Sequence, residues 1–83
     1  MTTPELFSQV RVVWNDIVTT DGWYDSDKIA GLDKPHVAHT LGFLTYIDKD
    51  YLVISHTRSI NGPDQYNGHI SIPIGCIESI ENY

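Results

Sequence analysis

Apolar and polar residues alternate in five segments of the chain, and this period of two predicts β-strands. In the first segment, Val10, Val12 and Trp14 share one face, while Arg11 and Val13 lie on the other. In the last two segments, Ile70 and Ile72 alternate with polar residues before further isoleucines return to a core. The predicted strands cover residues 10–18, 36–47, 51–58, 69–72 and 77–80.

Turn-forming residues separate these segments. Asp48-Lys49-Asp50 predicts a hairpin, and residues 59–68 contain two Asn-Gly pairs and a proline, which predicts a long loop. Pro73 lacks a backbone N–H and Gly75 permits a sharp turn, so residues 73–76 predict a tight corner. Gly42 lies within the second segment and indicates a bend or bulge where the sheet curls.

Two short helical turns are also expected. Residues 2–8 predict one, with Thr3 as its cap and Pro4 at its first position. The polar connection 19–35 predicts another over residues 27–30, capped by Asp25 or Ser26, stopped by Gly31 and followed by Pro35. The resulting expectation is one domain, residues 1–83. It is an all-β, five-stranded SH3-like or Sm-like barrel with a short helical turn in its first connection.

Composition restricts the function. The 83 residues carry eleven acidic and five basic side chains, a net charge of −6, which opposes binding to nucleic-acid backbones. The charge permits association with a basic host protein or mimicry of DNA, and it also simply favours solubility. A single cysteine, no secretory leader and no long apolar run lead us to expect an intracellular protein that is not in a membrane.

Metal-binding patterns are weak, and we expect no cofactor. His36 and His39 lie three residues apart on a predicted strand, so they point to opposite faces. His56 and His69 are expected to face each other, and a zinc site there would need Asp64 or Cys76 as a further ligand. The acids of the first connection lack the offsets of an EF-hand, and they include helix caps and first-turn residues, which explains them without a metal; they are Asp21, Asp25, Asp27 and Asp33.

No catalytic motif stands out. Cys76 and His69 are the only candidate nucleophile pair, and Cys76 lies between Ile74 and Ile77, as expected of a small apolar filler. We therefore predict that the protein is not an enzyme.

Aromatic residues in polar segments are the better candidates for function. Trp14 is in phase with the core, whereas Trp23 and Tyr24 lie in the first connection and Tyr66 in the long loop. Such residues are suited to binding a partner protein or to stacking on a base. Together with Arg58 or Arg11 they would hold a planar anion such as a nucleotide. The alternative for Trp23 is that it plugs one end of the barrel. The candidate binding residues are Trp23, Tyr24, His56, Arg58 and Tyr66.

A wider pattern covers most of the chain: Val10-x-Val12-x-Trp14-x-Asp16, Gly22-Trp23, Leu41-Gly42-Phe43-Leu44 and Ile70-x-Ile72-Pro73-x-Gly75-Cys76-Ile77-x-x-Ile80. It resembles small proteins of tailed bacteriophages and prophages. The resemblance implies a phage origin and action in the bacterial cytoplasm, and it transfers no active-site residue. The final strands also resemble Sm-like proteins, which form rings and bind RNA. The acidic charge and the lack of the glycine-bearing RNA-binding signatures argue against RNA here.

Three functions follow as hypotheses. The preferred one is a non-enzymatic accessory module that binds a host bacterial protein. The second is a homo-oligomer that sequesters a nucleotide-like immune signal. The third is a metal-dependent enzyme that uses His56 and His69.

Overall fold

The computed structural model describes residues 3–17, 21–32 and 36–83. These residues form five strands and two short 3-10 helices. The strands are β1 (Gln9–Asn15), β2 (Val37–Ile47), β3 (Tyr51–Arg58), β4 (Tyr66–Pro73) and β5 (Ile77–Asn82). The helices are η1 (Ser26–Gly31), in the first connection, and η2 (Ile74–Cys76), between the last two strands.

All five strands belong to one antiparallel sheet with the order β4-β3-β2-β1-β5. The prediction of an all-β fold with five strands and a short helical turn in the first connection is confirmed. Strands β4 and β5 form the two edges of the sheet and are not paired with each other. The first strand is therefore central, and its residues pair with β2 on one side and β5 on the other.

The core lies on one face of this sheet, which we call the core face. It is built by seven buried apolar side chains: Val10, Val12, Leu44, Leu52, Ile54, Ile72 and Ile80. These positions alternate along β1 and β3, and in β4 the partly buried Ile70 packs against the cluster two residues before Ile72, as the period of two predicts. Trp14 packs against this cluster, and its indole N–H donates a hydrogen bond to Thr40 Oγ1 at 2.9 Å. Trp14 is thus a core residue, as expected.

Gly42 marks a close approach between β2 and β3 rather than a bulge. A Cβ atom at this position would lie 2.7 Å from both Ile54 Cγ2 and the backbone oxygen of Ser55. The irregularity that the sequence led us to expect occurs further along β2, where the pairing register shifts between Leu44 and Tyr46. This shift explains why Ile47, rather than Tyr46, packs against the core.

The β2–β3 hairpin is held by Asp48. Its carboxylate accepts hydrogen bonds from the backbone N–H groups of Asp50 (2.7 Å) and Tyr51 (3.0 Å). The bond from Tyr51, then that from Asp50, lowers the pKa of Asp48 below its ordinary 3.8. The Tyr46 hydroxyl donates to the same carboxylate at 2.9 Å, and this bond raises the pKa of Tyr46.

A polar network lies on the opposite, outer face of the sheet. Ser55 is fully buried there, and its Oγ lies 2.7 Å from both Thr45 Oγ1 and His69 Nδ1. Thr45 donates onward to the carbonyl of Val53 at 3.3 Å. Every hydroxyl is satisfied if His69 Nδ1–H donates to Ser55 and Ser55 donates to Thr45, which leaves Nε2 of His69 as an acceptor.

Several predicted boundaries are wrong. Residues 3–8 form a turn at positions 6–7 instead of a helix, and Phe7 has a positive φ of 68°. The first strand ends at Asn15, since the Asp16 carboxylate accepts a hydrogen bond from the backbone of Ile17 and turns the chain locally. The long loop ends at position 65, because Tyr66 pairs with Arg58 in the β3–β4 ladder. The sequence predictions at residues 1–2, 18–20 and 33–35, which include Val18 and Pro35, lie outside the described residues.

The corner at residues 73–76 is confirmed as η2, and Ile77 and Ile80 return to the core as expected. The helical turn at η1 is confirmed as well, with Asp25 in the N-cap position but without a side-chain capping bond. No helix in the described part of the chain is long and apolar enough to cross a membrane.

Candidate functional site

The first connection contains a larger number of exposed, large apolar residues than any other connection of the described chain. We call its described residues, 16–17 and 21–32, the arm. None of them is buried, and the exposed apolar residues are Ile17, Trp23, Tyr24 and Ile29. The radius of gyration is 16.4 Å, against about 12 Å for a compact chain of this length. This difference fits an arm that extends away from the sheet.

Trp23 is as exposed as it would be in an isolated peptide, at 104% of the reference area. The expectation that it plugs one end of the barrel is therefore wrong. Tyr24 is half exposed, because its ring lies against Gly22, whose φ of 117° suits glycine.

A second group of candidate residues meets where β3 ends and β4 begins. His56 Nδ1 lies 3.0 Å from the carbonyl oxygen of Leu41, which fixes the proton on Nδ1 and leaves Nε2 as an acceptor. The His56 side chain lies beside Gly68, where an added Cβ atom would be 3.4 Å from His56 Cβ and 3.6 Å from Cδ2 of its ring. Arg58 pairs with Asp64, with Nη2 and Oδ1 3.1 Å apart.

Tyr66 completes this second group. Its ring stacks on Phe7 with 5.8 Å between centroids and an angle of 24°, and it meets Phe43 edge-on at the same distance. Sequence reasoning missed Phe7, because residues 2–8 were assigned to a helical turn that would have placed Phe7 differently. No local pattern signals its left-handed backbone conformation.

The structure therefore brings together three of the five candidate residues, His56, Arg58 and Tyr66. Trp23 and Tyr24 lie apart from them in the arm, and the full exposure of Trp23 excludes its packing against Tyr66. Arg11, the other candidate cation, is paired with Glu81. A nucleotide-binding cluster of all five side chains is thus not formed within one described chain.

The proposed pairing of His56 with His69 is wrong. Ser55 lies opposite His69 and Thr57 opposite Asn67, so His56 lies opposite Gly68. Neighbouring strand positions point to opposite faces, which separates the two imidazoles across the sheet. The described residues contain no group of three or more His, Cys, Asp or Glu side chains that could hold a metal ion. Of the acids considered for calcium, Asp33 lies outside the described residues.

The charges of the arm are uneven. Four aspartates, at positions 16, 21, 25 and 27, stand against one lysine, Lys28. Both ion pairs found among the described residues, Arg11–Glu81 and Arg58–Asp64, lie outside the arm. Intrachain salt bridges in the described part of the chain therefore do not neutralise the arm's acids.

An open depression of about 470 Å³ lies between the N-terminal segment and β5. Its lining is Thr3, Pro4, Glu5, Ser8, Ile80, Glu81 and Asn82. None of the five candidate residues contributes to it. The chain matches no protein-family model, and no curated protein or solved structure shows significant similarity to it.

Proposed function

We propose that this chain is a non-enzymatic accessory binding module of bacteriophage type that uses its arm to bind a host protein in the bacterial cytoplasm. The observation that carries the proposal is the complete exposure of Trp23 in an arm without a buried residue. Tryptophan and tyrosine are the side chains most enriched among binding hot spots. The five-stranded sheet provides the rigid scaffold from which the arm extends.

The experiment is capture of partners from bacterial lysate on the immobilised chain, with Trp23→Ala and Ile60→Ala variants in parallel. Ile60 is also almost fully exposed, at 88%, but it lies in the loop between β3 and β4. A partner retained by the wild type and by Ile60→Ala, and lost with Trp23→Ala, would support the proposal. Equal retention by all three chains, or no retention, would contradict it.

A second function is favoured by the group at the start of β4. The strand register places Tyr66 opposite Arg58, and His56 lies two residues before Arg58 on the same face of β3, a combination suited to a planar anion such as a nucleotide immune signal. In a homo-oligomer, the arm of a neighbouring copy would supply Trp23 and Tyr24 to this group. An anion would then compete with Asp64 for the Arg58 guanidinium.

Native mass spectrometry of the untagged protein tests this second function. A multimer that carries additional mass in nucleotide-sized steps, and loses it in an Arg58→Ala variant, would support sequestration of a nucleotide. A bare monomer whose melting temperature does not change with added nucleotides would exclude it.

A further inference from the structure

The arm combines exposed aromatic residues with unbalanced negative charge, and this combination limits the chemistry of its partner. We infer that the arm docks into an apolar pocket of a partner protein whose rim carries lysine and arginine side chains. This inference rests on the proposed function and adds the chemistry of the partner surface.

The first step is the spacing of charge around the aromatic pair. Asp21 and Asp25 stand two residues before Trp23 and one residue after Tyr24, and both aspartates are exposed. A side chain inserted in a pocket would therefore hold a carboxylate on each side of the pocket entrance. Basic groups at that rim would form charge-assisted hydrogen bonds with these carboxylates, and such bonds are stronger than hydrogen bonds between neutral groups.

The second step is that the Asp25 carboxylate is not used for a local cap. Asp25 occupies the N-cap position of η1, where an aspartate side chain commonly accepts a backbone hydrogen bond, but no such bond is formed there. The first turn of η1 contains a further acid, Asp27, and the last contains Lys28. The negative charge thus concentrates at the N-terminal end of η1, which comes directly after Trp23 and Tyr24 in the sequence.

The third step compares the other occupants of the arm by their charge. Nucleic acids and anionic lipid surfaces are both negatively charged, and the arm's aspartates would be repelled by them. A second copy of this chain also carries a net charge of −6, so pairing of two arms would bring like charges together. A basic protein surface is the occupant that the charge favours, and the rim charges would mainly set the association rate and its salt dependence.

The test uses a random-peptide display library selected on the immobilised full-length chain. The enriched peptides are then titrated in solution against wild type and variants. The inference expects peptides with apolar residues flanked by Lys or Arg, and binding that shifts Trp23 emission to shorter wavelength. Trp23→Ala should weaken binding by about 30-fold or more, the loss that defines a hot spot.

Two charge variants with equal net charge give the matched control. The Asp21→Lys/Asp25→Lys chain changes the arm, and the Glu5→Lys/Asp50→Lys chain makes the same change elsewhere on the surface. We expect the first to weaken binding by roughly 3- to 30-fold and the second to have little effect, because exposed charges act over about 8–10 Å at moderate salt.

The outcomes separate the inference from the function on which it rests. Peptides that need Trp23 but lack basic residues, or equal effects of the two charge variants, would overturn the inference while the arm remained a binding site. Peptides that bind Trp23→Ala as tightly as wild type, or no enrichment, would overturn the proposed function as well. A dimer that Trp23→Ala dissociates would show that a second copy occupies the arm, which also overturns the inference.

Discussion

Substitution of Gly42 by alanine tests the close approach of β2 and β3. The added Cβ would lie 2.7 Å from Ile54 Cγ2 and 2.7 Å from the Ser55 backbone oxygen, whereas Cβ atoms essentially never come within 3.0 Å of a neighbour. Ile54 is fully buried in the core, and the Ser55 carbonyl belongs to the strand. Relief of the contact therefore requires the two strands to separate locally.

The magnitude follows from two opposing effects. Overpacking of this kind typically costs about 1–3 kcal/mol. Replacing glycine by alanine also restricts the unfolded chain, which returns about 0.4–1 kcal/mol. Combining the two ranges, we expect Gly42→Ala to lower the free energy of unfolding by about 1.3 kcal/mol, and by no more than about 2.6 kcal/mol. A chain of this length has a total of roughly 4–12 kcal/mol, so the variant should still fold.

Urea denaturation followed by circular dichroism measures the effect. At an m-value of about 1 kcal/mol/M, the midpoint should fall by roughly 1.3 M, and by no more than about 2.6 M. Gly75→Ala is the matched control, because a Cβ atom there has no neighbour within 4 Å. That variant should be as stable as wild type or up to about 1 kcal/mol more stable. If the two variants unfold at the same urea concentration, the described approach of the strands is incorrect.

Three further predictions concern other parts of the chain. Trp23→Phe should change the unfolding free energy by less than about 0.5 kcal/mol, and the remaining emission, from half-buried Trp14, should shift to shorter wavelength. Ser55→Ala should cost about 1–3 kcal/mol in urea denaturation, because the buried hydroxyl bridges Thr45 and His69. Asp48 has a lowered pKa, so its contribution is present above pH 3.8 and disappears as the pH falls through the lower folded value. Asp48→Ala should therefore be less stable than wild type at neutral pH, with the difference closing in urea titrations below pH 3.8.

Local patterns were sufficient for much of the fold. The polar tip Asp48-Lys49-Asp50 between two apolar runs predicted β3 with the bounds that the structure has, Tyr51–Arg58. The reason is that a short hairpin is determined by neighbouring residues, here the Asp48 carboxylate and the backbone amides that follow it. The corner at η2 was predictable for the same reason, since Pro73 fixes the backbone locally and lacks an N–H for the ladder, while Gly75 permits a sharp turn.

Features that depend on register between distant residues were not predictable. His56 and His69 belong to strands joined by a loop, and a shift of one residue decides whether their side chains share a face. The observed register places Ser55 opposite His69, and His56 on the other face. The stacking of Phe7 on Tyr66 likewise depends on a positive φ at Phe7 and on the β4 boundary, and neither has a signal in the nearby residues.

The exposure of Trp23 has an energetic consequence that bears on function. Burial of a tryptophan removes up to about 250 Å² from water, worth about 6 kcal/mol at 25 cal/mol/Å². This amount lies within the roughly 4–12 kcal/mol net stability expected of the whole chain. The isolated chain therefore lacks a hydrophobic stabilisation that is comparable in size to its net free energy of unfolding. A partner pocket that buries Trp23 would provide this stabilisation. The free energy gained would help to offset the conformational entropy that is lost when the arm becomes ordered on the partner.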